Sequence, residues 1–213
     1  PLLKPKFSEG LFSSDGTQII MGTRGAIHFW DRRSGQETSA ALQIPGSITD
    51  LSLTHDDRLL GVASYRRECR IYDLHDANRE FLTLTHPAGV ADIAFNPTGD
   101  VLATASEDGL VRLWHSTTGE QIGTPLPNGV QAHRISFAQD LDLFAVASYN
   151  PSAQVWRLST QQLAIPPLVH DDQVHFAKLT ADGRRLITRG YSPYGTTQVW
   201  DPAIGLTIGP RFN

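Results

Sequence analysis

Residues 90–124 read VADIAFNPTGDVLATASEDGLVRLWHSTTGEQIGT, and this stretch decides the fold. Val90 to Phe95 is an apolar run of strand length. Asn96-Pro97-Thr98-Gly99 follows as a turn, with Pro presetting φ and Gly easing the exit. Val101 to Ala105 is rich in small and β-branched residues and reads as a second strand. Glu107-Asp108-Gly109 is a hairpin signal, because Asp-Gly tolerates the positive φ of a tight turn. Leu110 to Trp114 is a third strand, and Glu120 to Thr124 a fourth after a Thr-Thr-Gly turn. Four short strands with hairpin links make an antiparallel meander. Both faces of its inner strands are apolar, and about 42 residues bury too little surface to fold alone. Such a sheet needs neighbours on both faces.

The neighbours are in the same chain. Trp30, Tyr72, Trp114, Trp156 and Trp200 recur at intervals of 42, 42, 42 and 44 residues. Phe12, Leu53, Phe95, Phe137 and Leu179 keep the same beat, each before a polar turn. Two markers in register over five units predict a repeat architecture. The units fall at about 7–47, 48–89, 90–129, 130–172 and 173–213. Small antiparallel sheets of this kind stack face to face in a radial array. The expected fold is an all-β propeller of four-stranded antiparallel blades. Pro1-Leu2 sits at the phase of Pro125-Leu126, and Gly209-Pro210 returns to it, so five units are expected as part of a larger propeller. An arc cut in this way would leave its end sheets exposed and prone to self-association.

Composition narrows the class. Hydrophobic residues make up 40% of the chain and charged residues 19%, as in soluble globular proteins. No apolar run approaches the length that spans a membrane. Lys plus Arg number 18 against 22 Asp plus Glu, a balance that argues against a nucleic-acid partner. The single cysteine, Cys69, excludes an internal disulfide and points to the cytoplasm. Its phase is shared with Ile27, Val111 and Ala153, which predicts a buried, inert thiol.

The unit resembles the WD repeat, named for the Trp-Asp pair that closes its third strand. The resemblance extends over nearly the whole chain. It implies a blade locked by a hydrogen-bonded tetrad of His, Ser or Thr, Asp and Trp. In the third unit it assigns these roles to His86, Ser106, Asp108 and Trp114. The other units depart from the pattern: Arg24, Arg66, Asn150 and Tyr194 stand six residues before their aromatic, where Asp is expected. Only His170 offers a second histidine near the right place. The style of the repeats resembles bacterial WD-repeat arrays that follow kinase or NTPase modules.

Nothing in the chain spells catalysis. There is no nucleophile elbow, no phosphate loop and no Cys-x-x-Cys. His170 and His175 flank Asp171 and Asp172, and His75 lies near Asp73 and Asp76, but neither spacing is a zinc pattern. No metal and no cofactor are expected. Trp30, Tyr72, Trp156 and Trp200 read as rings packed between blades. The resemblance places the turns between second and third strands on one rim, the top. They carry Arg24, Tyr65, Arg66, Arg67, Glu107, Tyr149, Asn150, Arg189, Tyr191 and Tyr194. Tyr and Arg are enriched at binding hot spots. The expected function is a non-catalytic scaffold that binds a protein or peptide on this rim or at the centre. The alternative is a sensor propeller of a bacterial kinase or NTPase that recognises phosphorylated or acidic peptides. A propeller enzyme ranks behind both.

Overall fold

The computed structural model describes residues 9–76, 79–139, 142–191 and 195–212. Every regular element among them is a β-strand. The first blade holds β1 (Glu9–Phe12), β2 (Gln18–Asp31) and the opening of β3 (Leu42–Leu53). Strand β2 doubles back at Thr23–Gly25, where the Thr23 hydroxyl donates to the Ala26 carbonyl at 3.0 Å. The amide of Arg32 then closes on the Thr17 carbonyl at 2.9 Å. The long β3 serves two blades. Leu42 and Gln43 pair with β2, while Ile48 to Leu53 pair with β4 (Leu59–Ser64). Strands β5 (Glu68–Asp73) and β6 (Arg79–Thr85) complete the second blade.

The third blade is a plain meander of β7 (Val90–Phe95), β8 (Val101–Ser106), β9 (Leu110–His115) and β10 (Gln121–Pro127). The fourth has β11 (Ala132–Phe137), β12 (Leu143–Ser148) and β13 (Ser152–Arg157). Its outer strand is broken into β14 (Gln162–Leu163) and β15 (Leu168–Val169). Pro166 and Pro167 cause the break, since neither can donate to the ladder. The fifth holds β16 (Val174–Leu179), β17 (Leu186–Gly190), β18 (Thr197–Asp201) and β19 (Leu206–Thr207).

The core lies between sheets. Leu59, Ala63, Cys69 and Ile71 of the second blade cover Leu102 and Trp114 of the third. Ala103, Ala105, Val111 and Leu113 of the third cover Phe144 and Trp156 of the fourth. The fourth covers Leu186 and Trp200 in the same way. Small residues, Gly61 and Ala63 in the second blade and Ala103 and Ala105 in the third, recur on one face and let the next sheet approach. Gly61 shows how closely: a Cβ there would meet the Ile93 side chain at 2.7 Å. Trp114, Trp156 and Trp200 are buried and Tyr72 is 3% exposed, whereas Trp30 at the first sheet is half-buried. Packing runs from each blade to the next. Among the described residues no comparable packing joins the fifth blade to the first, so the five blades form an open arc.

Candidate partner-binding rim and central channel

Three sets of side chains recur along the blades: a lock in the third and fifth, a rim of turn residues and a central ladder. The lock differs from the expected tetrad. Thr104, fully buried on β8, is its hub. His86 Nε2 lies 2.8 Å from Thr104 Oγ1, and Trp114 Nε1 donates to the same oxygen at 3.0 Å. Ser106 is not the hub; its hydroxyl donates to the Gly89 carbonyl at 3.2 Å. The reason is register. Leu102 stands opposite Trp114, so Thr104 is the next residue on the ring's own face and Ser106 lies one step beyond it. Asp108 is also placed differently. Its carboxylate takes Arg112 at 2.8 Å and the Leu110 amide at 3.1 Å, and the buried His86 Nδ1 makes no well-formed hydrogen bond among the described residues. Arg112 and the Leu110 amide hold the Asp108 carboxyl below its usual range against the opposing effect of burial. Burial, helped by the Arg112 charge, lowers His86 to about 4, so its ring is neutral at pH 7.

The fifth blade repeats the lock. His170 Nε2 lies 2.6 Å from Thr188 Oγ1, and Trp200 Nε1 donates to that oxygen at 2.7 Å. Thr188 escaped the sequence reading, although it stands two repeats of 42 after Thr104. The fourth blade has Asn128, Val146 and Trp156 at the same phases. There Trp156 Nε1 turns to Gln154 Oε1 at 3.2 Å, and the buried Asn128 side-chain amide has no partner among the described residues.

On the rim, Tyr65 is 61% and Tyr191 60% exposed. Arg24, Arg66, Arg67, Glu107 and Arg189 are exposed as well. Tyr65 and Glu107 both lie over Gly89. Asn150 leaves the expected set of free rim residues: its amide donates to the Asn128 carbonyl at 3.0 Å and so ties its turn to the blade. Tyr194 lies outside the described residues. Two histidines join the rim instead. His133 stacks on Tyr149 at 5.2 Å and meets His175 at 4.9 Å; His175 meets Tyr191 at 5.4 Å, and Tyr149 meets Tyr191 at 6.3 Å. Four rings thus close one patch across the fourth and fifth blades. The readable signal was a doubled interval, 42 residues from His133 to His175 and from Tyr149 to Tyr191. Burial first, and then the neighbouring His175 and Arg134, lowers His133 to about 4.

The innermost strands carry the ladder. Asp50 accepts from the Ile93 amide of the next blade at 3.2 Å, and Asp92 from Ile135 at 2.7 Å. Arg134 follows at the same phase and cannot accept. Its guanidinium turns back to Asp92 at 2.9 Å and Asp50 at 3.4 Å, and reaches Glu9 at 3.9 Å. Burial raises the carboxyls of Asp50 and Asp92, with the charge of Asp50 adding to the rise at Asp92 and Arg134 opposing both. A channel of about 790 Å³ runs past Asp50, Asp92, Arg134 and Phe176. The acids' oxygens are already committed to amides and to Arg134. Among the described residues no group of three His, Cys, Asp or Glu could hold a metal ion. Burial raises the Cys69 thiol far above its usual range, so it stays a protonated core atom.

Residues 79–115 match the family model described as WD domain, G-beta repeat. The matched WD-type stretch runs from β6 to the end of β9 and contains the whole His86–Thr104–Trp114 lock. The chain is similar to a fruit-fly (Drosophila melanogaster) protein named Protein LST8 homolog, 28% identical over 105 residues, or 46% of this chain and 34% of that protein. It is similar to mouse (Mus musculus) Striatin-4, 31% identical over 117 residues, covering 53% of this chain and 12% of that one. It is also similar to the Saccharomyces cerevisiae protein named Target of rapamycin complex subunit LST8, 26% identical over 98 residues, covering 45% and 32%. The chain thus spans about a third or less of the length of these curated relatives, all three of them eukaryotic.

Proposed function

We propose that this chain is a non-catalytic protein-interaction scaffold whose partner docks on the top rim of the fourth and fifth blades. One observation carries the reading: Tyr149, Tyr191, His133 and His175 form a continuous aromatic patch across two blades, with Tyr191 largely open to solvent. Aromatic rings offer large contact area at a low cost in side-chain entropy, and Tyr is enriched where binding energy concentrates. The polar ladder below is internally satisfied, which favours a structural role for the channel over chemistry. A relative whose name makes it a subunit of a complex is in keeping with this reading. The buried free Cys69 supports the cytoplasm as the compartment. The test is a pull-down from the source cell with wild-type protein and the Tyr149→Ala/Tyr191→Ala double variant, with folding checked in parallel. Loss of the patch should weaken a bound partner by about 2 kcal/mol or more. A partner retained equally by both proteins moves the docking site elsewhere.

A further inference from the structure

Among the described residues three other than glycine hold a positive φ: Asp57 at 56°, Arg67 at 65° and Gln161 at 57°. Each stands where sister blades use glycine. Asp57 shares its phase with Gly16 and Gly99, Gln161 with Gly119 and Gly205, and Arg67 with Gly25 and Gly109. An L side chain is strained in this region, so each exchange needs a compensating contact. Two of them have one inside the arc. The Asp57 carboxylate takes the amide and hydroxyl of Ser14 on the preceding blade, at 2.8 and 2.7 Å. The Gln161 carboxamide lies directly over Gly123. Arg67 is held only through its carbonyl, which accepts from the His86 amide at 2.8 Å; among the described residues its side chain makes no hydrogen bond and no ion pair.

Arg67 has company. The stem of Arg66 lies across Gly46 so closely that a Cβ there would clash with it. Ser47, the next residue, pairs with Arg24 of the first blade. Arg24 and Arg66 likewise lack an ion pair among the described residues. Of the nearby acids, Glu68 and Glu80 both hold Arg70 at 2.8 Å and Asp108 holds Arg112, while Glu107, over Gly89 beside Tyr65, forms no ion pair with these arginines among the described residues. Three uncompensated guanidiniums thus share one stretch of rim, beside the open ring of Tyr65, on a chain whose net charge is −4. Strain with no internal return points outward.

We infer that Arg24, Arg66 and Arg67 form a docking site for an acidic peptide segment, whose carboxylates they neutralise while Tyr65 packs against its backbone. Guanidinium forks match carboxylates in geometry as well as charge. The site uses none of the residues of the aromatic patch, so the two readings can fail separately.

The experiment measures fluorescence anisotropy of a labelled glutamate-rich peptide, its glutamine counterpart and a phosphoserine peptide with the 213-residue chain. The glutamate peptide should bind about tenfold tighter than the glutamine one at low salt, and the advantage should shrink as salt screens it. Arg67→Gly is the decisive variant. It should weaken the glutamate peptide about fivefold or more, yet melt at the same or a higher temperature, because glycine relieves the strain. Arg24→Ala/Arg66→Ala should remove the preference for glutamate. Tyr149→Ala/Tyr191→Ala should leave it unchanged. Equal binding of glutamate and glutamine peptides overturns the inference, as does binding of the phosphoserine peptide alone. Arg67→Gly overturns it too if it binds like wild type, or if it loses binding together with thermal stability.

Discussion

The third and fourth blades solve one packing problem with different chemistry. At phases 42 residues apart they set His86 against Asn128, Thr104 against Val146, Arg112 against Gln154, and Asp92 against Arg134. The third blade hangs its tryptophan on a hydroxyl shared with a neutral histidine; the fourth lets Trp156 find a glutamine on its own strand. Both rings are nonetheless buried to nearly the same degree. Burial between sheets therefore carries the blade, and the lock decides which orientation the ring adopts. A buried polar network repays its desolvation only when complete, and the Asn128 side-chain amide, unpartnered among the described residues, shows the fourth blade stopping short of that.

The largest effect should come from the central ladder, where the two blades carry opposite charge. Arg134→Met would leave Asp92, 3% exposed, and Asp50 without a cation. Breaking a buried pair from one side costs about 3–5 kcal/mol. The cost should shrink as pH falls, because both carboxyls already sit above their usual range and protonate readily. Urea midpoints at neutral and acid pH measure this. A cost below about 1 kcal/mol at pH 7 would mean that the acids are uncharged there and that Arg134 holds nothing together.

A middle-sized effect tests the lock. His86 is lowered to about 4 from 6.5, chiefly by burial. The unfolded chain then binds the proton first, so the stability tied to the neutral ring is complete above about pH 6.5 and is lost as pH falls toward 4. The full swing is roughly 3 kcal/mol. His86→Asn copies the fourth blade and should flatten the difference between the midpoints at pH 7 and pH 4.5. His133 and His170, also lowered by burial, remain in both proteins and cancel. An unchanged pH slope would show that His86 titrates alike folded and unfolded. At fixed pH, Thr104→Val should cost about 2 kcal/mol by orphaning Trp114 Nε1 and His86 Nε2. A neutral result would reduce the lock to a geometric accident.

How much of this was legible follows from the kind of signal. The aromatic beat and the turns that precede it are local and apolar, so they announce strands, blades and the buried phase of Cys69 directly. The lock was legible only in outline. Thr104 and Ser106 are both hydroxyls on one face of one strand, and spacing cannot choose between them without the pairing of Leu102 with Trp114. Asp108 was assigned to the tetrad by the resemblance alone; the Arg112 that holds its carboxylate sits on the next strand, where its reach depends on hairpin twist. The rim patch joins residues of two blades, and only the repeated interval linked His133 to His175 and Tyr149 to Tyr191. The ladder was missed because Asp50 and Asp92 look like ordinary polar positions until the radial arrangement turns the first strand of every blade inward.

The smallest effect separates two rim residues at one phase, Glu107 in the third blade and Tyr149 in the fourth. Glu107 is exposed and lies over Gly89 beside Tyr65 without an ion pair among the described residues. Glu107→Ala should shift stability by less than about 0.5 kcal/mol, as for most surface substitutions. Tyr149 stacks on His133 and meets Tyr191 edge-on, so part of its ring supports the fold. Tyr149→Ala should cost about 1 kcal/mol, within the range of an aromatic pair. The pair of variants sharpens the comparison because the fourth blade lacks the lock, and its rim rings then hold the turn that Asp108 and Arg112 hold in the third. Combining Tyr149→Ala with Asn128→His and Val146→Thr tests that link by denaturant midpoint. If the lock and the rim patch do the same job, the transplanted lock should recover most of the loss at Tyr149. If their effects simply add, the two devices are independent, and the aromatic patch answers to its partner and not to the blade beneath it.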